Sequence, residues 1–378
     1  MKKLKVITIV GTRPEIIKLS RVIPSLDSFT NHILINTKQN YTKNLNELFF
    51  KELRLRKPDY TLHLEGMPTL ASQIGRIFVG IEKVFMQEKP DAVLVLGDTN
   101  SCLSTIMAKR MKIPIFHMEA GNRCFDENVP EEINRRIIDH ISDINLAYTE
   151  QSRLNLLGEG LHAGRIYVTG SPMAEVLTHY LPDINASSML SKHKLTPQKY
   201  IVVSLHREEN VDDEHVLRRI LKAIVDIDAR SSLPVIFSVH PRTKDRISHF
   251  RIPLSKKIVY LDAFGFFDYC QLQKHAYCVL SDSGTIQEES AILRFPAVQL
   301  RNSSERPEAF DQGTIVLSGH NPESIISGMD VAVRGFHADR SIPSAYTQMN
   351  VSEKVVKLII GLGSVMRQNL SDFNRRLF

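Results

Sequence analysis

The stretch Val6-Ile7-Thr8-Ile9-Val10-Gly11-Thr12-Arg13-Pro14-Glu15-Ile16-Ile17-Lys18, near the start of a 378-residue chain, decides the fold. A short β-branched run reads as a strand, Gly11 permits a sharp turn, and Pro14 suits the first turn of a helix. This is a βα unit, and the same grammar recurs outward from it. Further strands are expected at Ile33–Ile35, Ala92–Leu96, Pro114–His117, Ile144–Tyr148 and Ile166–Val168. Amphipathic stretches fill the gaps. From Leu70 to Gln87, for example, Leu70, Ile74, Ile77, Ile81 and Val84 fall at helical spacing and are expected to face the core.

Between about Leu181 and Lys199 the pattern dissolves into Pro182, Asp183, Asn185, Ser187, Ser188 and Pro197, which reads as a linker. A second βα series follows, with strands expected at Tyr200–Ser204, Val235–Ser238, Ile258–Leu261, Cys278–Leu280 and Ala297–Leu300. The fold class is therefore α/β, as two Rossmann-like, doubly wound domains at residues 1–180 and 200–350. Residues 351–378 are expected to form a terminal helix that packs back on the first domain. Two such sheets side by side leave an inter-domain cleft toward which the strand carboxyl ends point. At about 150 residues per domain, the length agrees with two.

Composition narrows the function classes. Hydrophobic residues at 43% and charged residues at 24% are ordinary for a globular protein. The net charge of +6 is modest for this length, and Lys and Arg are scattered rather than interleaved with aromatic residues as single-strand binders require. By composition an anionic small molecule fits as well as a nucleic acid does; the whole chain, motifs included, leads to the expectation of a small-molecule partner and no nucleic acid. No apolar run approaches the roughly 20 residues that cross a bilayer, so no membrane partner is expected. Leu4 to Val10 reads as a strand rather than a signal peptide. Cys102, Cys124, Cys270 and Cys278 form no C-x-x-C pair and no His/Cys metal spacing, which argues against zinc and for the reduced cytoplasm.

The polar motifs sit after strands. Gly11 to Lys18 offers an anion pocket from a helix N-terminus with Arg13 and Lys18, or else a simple capped helix. It lacks the G-x-G-x-x-G pattern of dinucleotide sites. In Gly97-Asp98-Thr99-Asn100-Ser101, Asp98 is either a ligand group at the sheet's carboxyl edge or the N-cap of the next helix. His117-Met118-Glu119-Ala120-Gly121-Asn122-Arg123, followed by Pro130-Glu131-Glu132-Ile133-Asn134-Arg135-Arg136, packs three carboxylates and three guanidiniums around one loop. Such a cluster is affordable mainly where chemistry or a polar ligand uses it.

In the second half, Ser204-Leu205-His206-Arg207-Glu208-Glu209-Asn210 presents either a phosphate-binding His206 or an ordinary loop histidine. Ser281-Asp282-Ser283-Gly284-Thr285-Ile286-Gln287-Glu288-Glu289 places small residues at a helix start, suited to a diphosphate, with Glu288 or Glu289 placed to accept ribose hydroxyls. Arg306, in Glu305-Arg306-Pro307-Glu308, adds a guanidinium.

Taken in order, these seven motifs resemble the non-hydrolysing UDP-N-acetylglucosamine 2-epimerases over nearly the whole chain. The resemblance implies a GT-B-like pair of Rossmann domains holding a UDP-sugar between them, usually as a homodimer. It implies Asp98, Glu119 and Glu131 as the acid/base set and His206 at the leaving phosphate. Arg13, Lys18 and Arg306 would hold the diphosphate, Ser283, Gly284 and Glu289 would contact diphosphate and ribose, and Arg135 would keep Glu131 ionised or oriented. No NAD or other cofactor and no metal is expected, since no net redox occurs. The wording Glu119-Ala120-Gly121-Asn122-Arg123-Cys124-Phe125-Asp126 is most similar to the branch that makes UDP-N-acetyl-L-fucosamine for surface polysaccharides such as capsule or O-antigen. The alternatives are a GT-B glycosyltransferase, a hydrolysing 2-epimerase and a non-catalytic nucleotide-sugar sensor. A glycosyltransferase has little use for three carboxylates, and a sensor has none for acid/base groups.

Overall fold

The computed structural model describes residues 3–39, 43–64, 66–67 and 69–376, with backbone alone for 43–47 and 367–376. The chain divides into two compact units, one running to Val176 and resumed from Thr347, the other spanning Leu177–Tyr346.

Among the described residues the first unit is built on seven strands: β1 (Lys5–Val10), β2 (Asn31–Asn36), β3 (Tyr60–Thr61), β4 (Ala92–Leu96), β5 (Ile115–Ala120), β6 (Ile144–Ala147) and β7 (Ile166–Val168). They pair in parallel in the order β3-β2-β1-β4-β5-β6-β7. Continuous apolar runs such as Ala92–Leu96, buried at every position, suit a sheet covered by helices on both faces. The order reverses between β1 and β4. At such a switch point the loops leaving the two strands diverge to opposite faces and open a crevice at the carboxyl edge.

Helix Leu70–Glu88 covers this sheet through Ile77, Ile81, Val84 and Phe85, all in the apolar core. Leu70 does not join them: as the first helical residue it stays 60% exposed. The terminal helix Val351–Arg376 packs on helix Val22–Phe29 of this unit. Val351, Val355 and Ile359 are fully buried, and Ser352 N donates to Glu175 Oε2 at 2.9 Å.

The second unit carries β8 (Ile201–Leu205), β9 (Val235–Val239), β10 (Val259–Asp262), β11 (Cys278–Ser281), β12 (Ala297–Gln299) and β13 (Val316–Leu317). They form a parallel sheet in the order β10-β9-β8-β11-β12-β13, whose switch point lies between β8 and β11. Its core joins Val203, Phe237 and Leu280 to Ile220, Ile224 and Ile325 of the flanking helices.

Three further expectations need correction. β5 does not stop at His117 but continues through a register shift to Ala120, so Glu119 belongs to the strand end. Tyr60–Thr61 and Val316–Leu317 add edge strands of two residues, too short to show any periodicity. The stretch read as linker contains helices Leu181–Asn185 and Met189–Lys192, the first with Pro182 in its opening turn, where proline's missing N–H costs nothing. Among the described residues no helix is long and apolar enough to cross a membrane.

Candidate active site

In the first unit the polar residues gather where β1, β4 and β5 end. Helix Arg13–Leu19 starts with the Thr12-x-x-Glu15 spacing of a capping box. Glu15 is buried, and its Oε2 accepts from the backbone N–H of Gly11 at 2.7 Å and of Thr12 at 2.6 Å. Its Oε1 accepts from the Thr99 hydroxyl at 2.7 Å, tying the β1 loop to the β4 loop. Burial raises the carboxyl above its ordinary range, against the pull of those hydrogen bonds. Gly11 serves by its lack of bulk rather than by unusual dihedrals, since a Cβ there would lie 2.1 Å from Ser101 Oγ. The Thr12-x-x-Glu15 spacing is the sequence signal that marks Glu15.

Arg13 is half-buried and stands over the Phe49 ring, 5.8 Å from its centroid. Lys18 turns toward the end of β5, where its Nζ lies 2.6 Å from Glu119 Oε2 and 5.7 Å from the centre of the Tyr148 ring. A residue expected to meet a diphosphate is thus paired with a carboxylate expected to belong to the acid/base set. Glu119 has φ +67°, left-handed backbone that costs a side-chain-bearing residue about 1–2 kcal/mol. Such strain persists only where the surroundings enforce it, and it concentrates at functional sites.

Asp98 follows Gly97, whose N–H donates to Met118 O at 3.0 Å, so Asp98 and Glu119 stand at the ends of neighbouring strands. The N-cap reading of Asp98 fails, because the following 3-10 turn Asn100–Ser104 is preceded by Thr99 at that position. Asp98 instead accepts from Arg135, whose Nε and Nη2 both lie 2.8 Å from Oδ2. Arg135 projects from helix Pro130–Ile141 and also meets Glu132 Oε2 at 2.8 Å. Burial opposes charge on Glu132, yet the Cys124 N–H and Arg135 hold it below the usual carboxylate range. Glu131, half-buried, lies in the first turn of the same helix. One parallel edge and the helix after it therefore carry Asp98, Glu119 and Glu131.

The second unit repeats the plan. His206 follows β8, and its Nδ1 lies 2.9 Å from Oδ1 of Asp282, the residue following β11. Asp282 is fully buried and also accepts from the backbone N–H of His206 and Arg207 and from Asn210 Nδ2. Burial alone would raise its pKa, but these donors and the His206 ring hold it at about 2. Asp282 was quoted in the sequence only as part of a motif. Its importance comes from its reach across to β8, which no local pattern reveals.

Ser283 and Gly284 form the loop before helix Ile286–Leu293, and Ser283 Oγ and Thr285 Oγ1 are 3.0 Å apart. Arg306, 2% exposed, donates from Nε to the Gly284 carbonyl at 3.0 Å. Glu289 accepts from Gln273 Nε2 at 2.7 Å, and Glu288 is buried with an oxygen 3.5 Å from Arg306 Nη1. His206, Ser283, Gly284, Glu289 and Arg306 are thus distributed around one switch point, with Arg306 bracing the loop from within.

Known proteins are similar to this chain over most of its length. The family model for UDP-N-acetylglucosamine 2-epimerase matches residues 25–360. The UDP-N-acetylglucosamine 2-epimerase of Methanocaldococcus jannaschii is 37% identical over 367 residues, covering 94% of this chain and 99% of its own. Its crystal structure in complex with UDP-GlcNAc and UDP has a TM-score of 0.89 to this one. A UDP-N-acetylglucosamine 2-epimerase structure from Rickettsia bellii is 45% identical, covers 97% of this chain and 98% of its own, and also has a TM-score of 0.89. A UDP-2,3-diacetamido-2,3-dideoxy-D-glucuronate 2-epimerase of Pseudomonas aeruginosa is 35% identical over 329 residues, covering 85% of this chain and 90% of its own.

Proposed function

Because the chain belongs to the UDP-N-acetylglucosamine 2-epimerase family, we propose that it inverts C2 of a UDP-N-acetylhexosamine without hydrolysing it. The observation that carries this reading is the convergence of Asp98, Glu119 and Glu131 on one sheet edge and the helix that follows it.

The hydrogen on C2 of such a sugar is not beside a carbonyl, so a carboxylate cannot simply remove it. The C1–O bond to UDP must loosen first. As UDP leaves with the bonding pair, positive charge builds at C1 and acidifies C2–H. A carboxylate takes that proton, and C1=C2 forms as a 2-acetamidoglycal. Protonation of C2 on the opposite face and return of UDP to C1 complete the inversion with no net redox. Two faces require two proton-handling groups, and each is worth about 10² to 10⁴ in rate. Asp98, Glu119 and Glu131 fill these roles, with Lys18 supplying compensating charge beside Glu119 and Arg135 orienting Asp98.

In the second unit Asp282 engages His206 Nδ1, which leaves Nε2 to meet the departing phosphate. Ser283 offers its hydroxyl and Gly284 its backbone N–H to the diphosphate. Glu289 meets the ribose, and Arg13 and Arg306 add positive charge that stabilises the leaving group as it forms.

For the sugar itself we favour UDP-2-acetamido-2,6-dideoxy-L-talose, converted to UDP-N-acetyl-L-fucosamine, with UDP-N-acetylglucosamine and UDP-N-acetylmannosamine as the other pair. The support is the segment Glu119–Asp126 and the short connection from there to Pro130. The Pseudomonas relative, named for a diacetamido uronate, is in keeping with a family whose members differ in the sugar they take. The product would feed surface polysaccharide synthesis, and the working form is a homodimer.

Incubation with each sugar nucleotide in deuterated water tests the reaction. Deuterium is expected at C2 of a product still linked to UDP. Absence of C2 exchange with a bound UDP-sugar, or release of free hexosamine and UDP, would sink the proposal.

A further inference from the structure

We propose that Asp139 is a positioning residue for the C2 chemistry, a buried clamp that holds Glu119 in its left-handed backbone conformation. The proposal rests on the reading of Glu119 as an acid/base group. Asp139 lies on helix Pro130–Ile141, is fully buried, and touches neither Asp98 nor Glu119 in any contact described above. Its carboxylate instead takes hold of the chain on both sides of Glu119. Oδ1 is 2.8 Å from His117 Nδ1, two residues before. Oδ2 accepts from Gly121 N at 3.1 Å, two residues after, and from Arg123 Nη1 at 2.7 Å, four after.

The three donors are themselves fixed. His117 Nε2 lies 2.8 Å from the Gly97 carbonyl, which precedes Asp98, so the clamp extends to the second carboxylate's strand end. Arg123 is held from its other side by Glu159, at 2.7 Å from Nε and 2.6 Å from Nη2. Gly121 has φ +81°, and a Cβ there would lie 2.2 Å from Ser152 O, so the backbone after Glu119 is pressed against helix Glu150–Gly158.

Between these anchors the ladder with β6 slips: Met118 pairs with Leu146 and Ala120 with Ala147, leaving Glu119 as the extra residue at φ +67°. A bulge of this kind re-aims one side chain, and it endures only if both flanks are pinned. Burying the Asp139 and Arg123 ion pair beside His117 is a poor way to gain stability. Its geometric product, a fixed Glu119, is what the arrangement secures. Burial would raise the Asp139 pKa, but the His117 and Arg123 contacts hold it below the ordinary carboxylate range, in keeping with an ionised clamp.

Asp139→Asn preserves shape and removes the charge. With a wild-type enzyme that exchanges C2 deuterium, the variant is expected to lose about 10- to 100-fold in kcat while KM stays within about twofold. In a Glu119→Gln background the same substitution is expected to cost less than about threefold, because its principal target is already gone. In its crystal structure Glu119 is expected to leave the left-handed region. A KM that rises as kcat falls, an undiminished penalty in the Glu119→Gln background, or a Glu119 that keeps its positive φ would each overturn the clamp. If Asp139→Asn does not fold, His117→Gln removes one arm and is held to the same three outcomes. A wild type that shows no C2 exchange defeats the epimerase reading, and the Glu119 conformation in the variant still decides the clamp.

Discussion

Glu119 shows how much a single residue can owe to its neighbours. Its carboxylate is 2.6 Å from Lys18 Nζ, its backbone is left-handed, and Asn122 Nδ2 and the Tyr148 hydroxyl approach at 3.5 Å. A group so placed should be dispensable for holding the nucleotide and indispensable for moving the proton. Glu119→Gln is expected to lower turnover by about 10² or more while UDP affinity, measured by calorimetry, changes little. Equal losses in both would make Glu119 a binding residue. Its candidacy for the site was legible from its place in a charged motif after a strand. Its strain was not, because nothing in Met118-Glu119-Ala120 distinguishes a regular strand from a bulge.

At the scale of elements, the unit of construction is the loop between a strand end and the next helix. In the first unit Glu15 joins two such loops, accepting from Gly11 and Thr12 on one and Thr99 on the other. Removing it strands buried donors, each costing about 1–3 kcal/mol. Glu15→Ala is therefore expected to lower stability to urea by about 2 kcal/mol or more, and an unchanged midpoint would show that water replaces the carboxylate. Helix placement was legible where apolar residues repeat over several turns, as from Ile77 to Phe85. It was illegible in Leu181–Asn185 and Met189–Lys192, where one turn offers no repeat and the composition is that of a loop. The Lys18 to Glu119 pair spans 101 positions and the His206 to Asp282 pair 76, so local pattern carries no trace of either.

For the whole molecule, the chain leaves its first unit at Val176 and returns to it at Thr347. The returning helix buries Val351, Val355 and Ile359 and ties back through Ser352 to Glu175 and through Lys354 Nζ to the Thr169 carbonyl. Ending the chain after Tyr346 uncovers that apolar face, and burial of each such side chain is worth about 1.5–3 kcal/mol. The truncated protein is expected to show a lowered first transition in calorimetry or to aggregate, while the sheet of the second unit melts as before. An unaltered first transition would mean that the helix contributes nothing to the unit it covers. The sequence by itself determined the two parallel α/β series, the strand ends where polar residues cluster, and the family, because these depend on local periodicity and on motif order. The tertiary structure alone decided which charges meet, since Lys18 with Glu119, Arg135 with Asp98, and Asp139 with His117 and Arg123 are brought together by sheet order and helix packing. Periodicity places a side chain on a face of its own element, and only packing chooses the partner across from it.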